Sequence, residues 1–156
     1  MTKLNVGDKA PAITAKNQYG ETVSLADYQG RKIILYFYPK DNTPGCTTEA
    51  CNFRDNYQSL LADGFEVIGV SVNTERSHRS FAKKFDLPFN LLVDTDQKIV
   101  NDYGVWGEKM LFGRKYMGTL RTTFVIDERG IITHIIDKVD NERASQQVRE
   151  LLARHQ

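Results

Sequence analysis

Apolar positions along the chain fall into two kinds of pattern, continuous short blocks and spaced repeats, and each predicts a different element. "KIILYFYP" (32–39) and "FEVIGVSV" (65–72) are unbroken apolar blocks of strand length, as expected for strands covered on both faces. "FNLLVD" (89–94) reads as a shorter strand of the same kind. Between the first two blocks, Ala50, Phe53, Tyr57, Leu60 and Leu61 recur at three- and four-residue spacing, which predicts a helix over residues 47–62 closed before Gly64. A second helix is expected over 75–86, capped by Asn73 or Thr74. "QKIVNDYG" predicts a short helix stopped by Gly104.

The ends of the chain complete the outline. Residues 12–25 alternate around Asn17–Gly20 and predict a short N-terminal hairpin, followed by a turn through "SLADYQG". "RTTFVID" and "GIITHIID" predict two strands joined at Glu128–Arg129–Gly130. "NERASQQVRELLARHQ" predicts a closing amphipathic helix. Residues 105–118 carry three glycines without a clean period and are expected to form a loop. Strands alternating with helices, then a hairpin and a last helix, predict an α/β three-layer sandwich with a central mixed sheet, in one domain spanning 1–156.

Composition narrows the function classes. In 156 residues, 40% are hydrophobic and 26% charged, an ordinary globular balance. The net charge of +1, with both signs scattered, leaves no electrostatic footprint for nucleic acid or an anionic membrane. No apolar run is long enough for a bilayer span, and "MTKLNVGDKAPAI" lacks a signal-peptide core, so the expected setting is the cytoplasm. In that reducing setting two close cysteines point to catalysis rather than to a structural bridge.

Those cysteines are Cys46 and Cys51, in "YPKDNTPGCTTEAC". Cys46 follows a predicted strand where a helix begins, the usual place for a site in an open α/β sheet. There the helix dipole and free amides favour a thiolate, and Pro44–Gly45 lets the chain bend. The plain alternative for Cys46 is a small buried apolar residue. Residues five apart on an intact helix have α-carbons roughly 8.5 Å apart, whereas a disulfide needs about 4.4–6.8 Å. The two sulfurs therefore cannot join while the helix stands. A zinc site would need two more donors, and His78, His134 and His155 are scattered singly on a helix, in a strand and at the chain end, where surface or packing roles are expected. A thioredoxin-type dithiol would have two residues between its cysteines, not four.

"YFYPKDNTPGCTTEAC" resembles the active-site segment of peroxiredoxins, with Pro39, Thr43 and Cys46 in the pattern P-x-x-x-T-x-x-C. The second cysteine and the following "FRD" resemble the peroxiredoxin Q, or bacterioferritin comigratory protein, subfamily. "VGDKAPAI", "LADYQGRKIILYFYP", "GVWGEKMLFGRKYMG" and "RTTFVIDERGII" extend the likeness over most of the chain. The resemblance implies a thioredoxin-like fold and reduction of hydrogen peroxide and organic hydroperoxides, with thioredoxin as electron donor and no cofactor. It makes Cys46 the peroxidatic nucleophile and Cys51 the resolving cysteine. Thr43 and Arg121 complete the site it implies, Glu49 orients the arginine, and Pro39 and Pro44 support the loop. A second thiol in the same helix needs no partner subunit, so a monomer is expected. A noncatalytic redox sensor or partner-binding module is the competing reading. Trp106 is expected to line the approach or simply to pack, and Lys40 and Arg54 to be solvated. Of Phe37, Tyr38 and Phe53, two are expected to belong to the core.

Overall fold

The computed structural model describes residues 2–154. The apolar blocks become the centre of a five-stranded sheet. β3 (Lys32–Phe37) pairs in parallel with β4 (Phe65–Ser71), which pairs in parallel with β5 (Asn90–Val93). On its other side β3 runs antiparallel to β8 (Thr122–Ile126), and β8 antiparallel to β9 (Ile132–Ile136). The order β5-β4-β3-β8-β9 is the expected mixed sheet, with β3 at its middle.

Alternation along β3 divides the core in two. Ile34, Tyr36 and Tyr38 face one layer, formed by α1 (Pro44–Asp55), α2 (Tyr57–Ala62), α3 (Glu75–Phe85) and α5 (Ala144–Arg154). Ile33, Leu35 and Phe37 face the other, formed by the N-terminal segment with its hairpin β1 (Thr14–Lys16) and β2 (Thr22–Ser24), and by α4 (Lys98–Asp102). Both faces of the strand are covered, which is why its sequence shows no polar alternation. The result is the three-layer sandwich.

Two elements depart from the sequence expectation. The helix predicted over 47–62 begins earlier, with Pro44 in its first turn after Thr43, and breaks at Asn56, whose side-chain amide donates to the Asn52 carbonyl at 2.8 Å. Proline suits that first position because the missing N–H has no partner there in any case. The predicted loop 105–118 is instead a hairpin, β6 (Trp106–Leu111) and β7 (Arg114–Thr119), closed by Phe112 and Gly113, both at positive φ. Its residues are mostly exposed on both faces, so the alternation that marks a half-buried strand is missing. Met110, Leu111, Phe112 and Met117 lie open on this ribbon. The cap of α3 is Thr74, whose hydroxyl accepts from the Ser77 amide at 3.1 Å.

Gly69 keeps the active layer close to the sheet. It stands in β4 between Tyr36 and Leu91 on the neighbouring strands, and a Cβ there would lie 2.9 Å from both side chains. Both side chains are fully buried. Gly69→Ala is expected to lower stability by roughly 1–3 kcal/mol through overpacking, read as a lower urea midpoint; an unchanged midpoint would show that the layer can shift.

Candidate functional site

The site forms where β3 ends and α1 begins. Cys46 is the third residue of α1, in the turn whose amides have no carbonyl upstream to bond. It is 1% exposed, at the edge of the helical-layer core with Tyr36, Ala50 and Phe53. Arg121 reaches it from the residue before β8, the strand beside β3. One guanidinium nitrogen, Nη2, donates to the Cys46 sulfur at 3.2 Å, and Nη1 donates to Glu49 Oε1 at 2.6 Å. A planar guanidinium can serve two acceptors at once, which an ammonium on a flexible stem does less well.

Glu49, one turn along α1 from Cys46, is fully buried and its Oε2 has no hydrogen-bond partner. Burial pushes its carboxyl up to about 7, while Arg121 pulls the other way. Burial works against the charge on Arg121, but Glu49 and the Cys46 sulfur outweigh it and hold the guanidinium above its ordinary range. Gly45 lies against this arrangement: a Cβ there would press on Asn141 Nδ2 at 3.0 Å and come within 3.4 Å of Arg121 Nη2.

Thr43 precedes α1 and donates its hydroxyl hydrogen to the Lys40 carbonyl at 2.8 Å, leaving the oxygen free to accept. Pro39 and Pro44 bracket this loop. Cys51 lies in the same unbroken helix as Cys46, half-buried, and both are free thiols. Arg121 therefore brings Cys46 and Glu49 together, Thr43 stands at the N-cap of the helix that carries both, and Cys51 lies on that same helix.

Other sequence readings resolve differently. Phe37, Tyr38 and Phe53 are all fully buried, and Phe37 faces the opposite core layer from Cys46. Trp106 packs against that opposite layer. Arg54 is not simply solvated: Nη1 donates to the Phe85 carbonyl at 2.8 Å. His78 is fully buried, with Nδ1 2.6 Å from Asp41 Oδ2 and Nε2 2.8 Å from the Leu92 carbonyl. A carbonyl only accepts, so Nε2 carries a proton there. His155 lies outside the described residues.

Lys109 and Asn141 are additions to the site. Lys109, on β6, donates from Nζ to the Thr119 carbonyl at 3.0 Å. Its ammonium is pulled below the ordinary range by burial and by Arg121, with Cys46 acting in the opposite sense. Neither residue was legible beforehand, because one sits in the hairpin read as a loop and the other arrives from the start of the last helix.

The elevated Glu49 carboxyl has a pH consequence. The folded protein holds this proton more tightly than the unfolded chain, whose carboxyl has the ordinary value of 4.5. Its contribution to stability is therefore full below about pH 4.5 and is lost as pH rises through about 7. Between pH 5 and 8, wild type is expected to lose at most about 3 kcal/mol relative to Glu49→Gln. Urea denaturation of both proteins at each pH measures the difference, and parallel pH profiles would refute the assignment.

Comparison with known proteins places this geometry. Residues 6–135 match the model of the AhpC/TSA family. The peroxiredoxin Bcp of Bacillus subtilis is 50% identical over 127 residues, 81% of each chain. A structure of a cysteine-to-serine variant of peroxiredoxin Q from Xylella fastidiosa superimposes with a TM-score of 0.92 at 29% identity, covering 99% of both chains. The bacterioferritin comigratory protein of Xanthomonas campestris, solved as trapped intermediate and ligand complexes in a study of its alkyl peroxide reduction, gives 0.87 at 28% identity, again over 99% of both. With this fold, and a cysteine at a helix start held by an arginine, the chain belongs to the AhpC/TSA family of peroxiredoxins, among the Bcp and peroxiredoxin Q proteins.

Proposed function

We propose that this one-domain protein is a thiol peroxidase that reduces hydrogen peroxide and organic hydroperoxides through Cys46 and Cys51. The observation that carries the reading is the guanidinium of Arg121 set between the Cys46 sulfur and a buried carboxylate. A thiolate is the attacking species, and a fixed cation donating to the sulfur favours that form.

Residue types and positions support each step. The Cys46 thiolate attacks one oxygen of the peroxide, the O–O bond breaks, and the other oxygen leaves as hydroxide or alkoxide that takes up a proton. Arg121 and the free amides at the start of α1 are placed to stabilise charge growing on those oxygens. Thr43, its hydrogen already committed to Lys40, accepts from the peroxide O–H and aligns the O–O bond. Cys46 is left as a sulfenic acid. The Cys51 sulfur then attacks the Cys46 sulfur, the S–O bond breaks, and the oxygen departs as water, leaving a disulfide. Because both cysteines stand in one helix, the start of α1 must unwind for this step. A dithiol protein of the thioredoxin type reopens the bridge, in the cytoplasm, and the peroxidase works as a monomer.

Turnover separates this reading from a redox sensor. With a thioredoxin system present, wild type is expected to consume many equivalents of peroxide, whereas consumption that stops near one equivalent favours the sensor. Cys46→Ser is expected to abolish consumption. Cys51→Ser is expected to react once and then fail to be recycled by thioredoxin, and full recycling in that variant would remove Cys51 from the mechanism.

Arginine geometry is tested separately. Arg121→Lys keeps the charge but loses the two-pronged contact, and is expected to slow sulfenic acid formation by about 10²–10³-fold. Stopped-flow single turnover reads that rate, and a change under threefold would show that charge alone suffices.

A further inference from the structure

The segment bearing both cysteines is fastened at each end by a polar side chain tied to a distant element. At the C-terminal end stands Asn52, next to Cys51. Its Nδ2 donates to the Glu142 carbonyl at 2.9 Å and to Gln146 Oε1 at 3.0 Å. Its Oδ1 accepts from the Ser145 amide at 2.8 Å and from Ser145 Oγ at 2.6 Å. A carboxamide has two donor hydrogens and two acceptor lone pairs. All four are used, and every partner lies in residues 142–146, the 3-10 turn before α5 and the first turn of α5. Ser145 is itself 1% exposed.

The residues after Asn52 are fastened too. Phe53 is fully buried with its ring 4.8 Å from that of Tyr36, and Arg54 donates to the carbonyl at the end of α3. Residues 52–54 thus hold to the last helix, the sheet and α3 in turn. At the other end, buried Asp41 accepts from the Tyr38 hydroxyl at 2.6 Å and from Ser77 Oγ at 2.8 Å, and pairs with His78. The Asp41 amide donates to Asn73 Oδ1 at 3.0 Å.

Residues 42–51 are held differently. The hydroxyls of Thr43 and Thr48 bond to carbonyls within the same stretch or next to it, and at its upstream end exposed Asn42 accepts a long 3.4 Å bond from Lys84 of α3. The side-chain bonds that tie its buried interior to the sheet come from Arg121, to Glu49 and Cys46. Formation of the sulfenic acid replaces the sulfur acceptor that Arg121 holds, so oxidation acts on the tie that lies between the two fastenings.

We propose that Asn52 is a positioning residue that stops the unwinding of α1, so that forming the Cys46–Cys51 disulfide rearranges residues 42–51 and leaves everything from Asn52 onward in place. Asp41 sets the corresponding limit upstream. This rests on Cys46 and Cys51 being the peroxidatic and resolving pair. Its benefit follows from packing: the fully buried residues beyond Asn52, Phe53 and Leu60 among them, keep their places in the core while the disulfide forms.

The test is hydrogen exchange on reduced protein and on protein oxidised with one equivalent of peroxide, the latter mapped for its disulfide. In wild type, oxidation is expected to accelerate exchange at 44–51 by about a hundredfold or more, while 53–62 and 144–148 change by less than about threefold. In oxidised Asn52→Ala, acceleration is expected to spread through 53–62, with the reduced form of the variant still protected there. Asn52→Asp keeps the acceptor for Ser145 but sets an acceptor-only oxygen against the Glu142 carbonyl, and is expected to restore the boundary only in part. Ser145→Ala, a gentler loss from the partner side, is expected to move it part of the way. If oxidised wild type already exchanges quickly through residue 62, or if neither Asn52→Ala nor Ser145→Ala moves the boundary, Asn52 is not the stop. Absence of a 46–51 bridge would instead overturn the cysteine assignment and this proposal with it.

Discussion

The guanidinium of Arg121, shared between a sulfur and a buried carboxylate, is the contact on which the rest of the site depends. It connects two elements far apart in sequence: the first turn of α1 and the approach to β8. A cation brought this close to a helix N-terminus meets the positive end of the dipole, so its position needs negative charge nearby. Glu49 provides that charge from one turn further along the same helix, and its burial strengthens the attraction by removing competing water. The carboxylate in turn would be costly to bury without the arginine. Arg121 offsets only part of that cost: with Oε2 unpartnered, burial still holds the carboxyl up at about 7.

The sheet supplies the rigidity this arrangement needs. β3 is paired on both edges and packed on both faces, so the loop leaving its end starts from a fixed point. Arg121 approaches beside it because β8 is the antiparallel neighbour of β3. A second buried carboxylate, Asp41, fastens the same loop on its other side through His78, Ser77 and Tyr38. The segment bearing Cys46 thus carries one buried carboxyl group, Glu49, and is preceded by another, Asp41, each matched to a partner from a different element.

Against this rigid frame stands one built-in conflict. Helical geometry keeps Cys46 and Cys51 too far apart to bridge, while placing the first in the turn where a thiolate is favoured. In the proposed mechanism the same helix that prepares the first chemical step forbids the second. In the proposed mechanism, confinement of the rearrangement between Asp41 and Asn52 reconciles the two requirements, because the core residues beyond Asn52 need not move.

Much of this was written in the local pattern. The continuous apolar block at 32–39 determined a strand covered on both faces, the spacing of Ala50, Phe53 and Leu60 determined helix, and Thr43-Pro44-Gly45 ahead of Cys46 determined where a reactive cysteine would stand. These are legible because strand and helix periods, proline at a helix start and the reach of a disulfide are properties of neighbouring residues. The β6–β7 ribbon was hidden because neither of its faces is buried, so no alternation was imposed on it. The break at Asn56 was hidden because a side chain capping a carbonyl leaves the apolar spacing unchanged. Lys109, Asn141, the Asp41–His78 pair and the four bonds of Asn52 were decided only by the tertiary structure. Each joins residues from separate elements, and a single chain carries no periodic mark of a partner some thirty to ninety positions away.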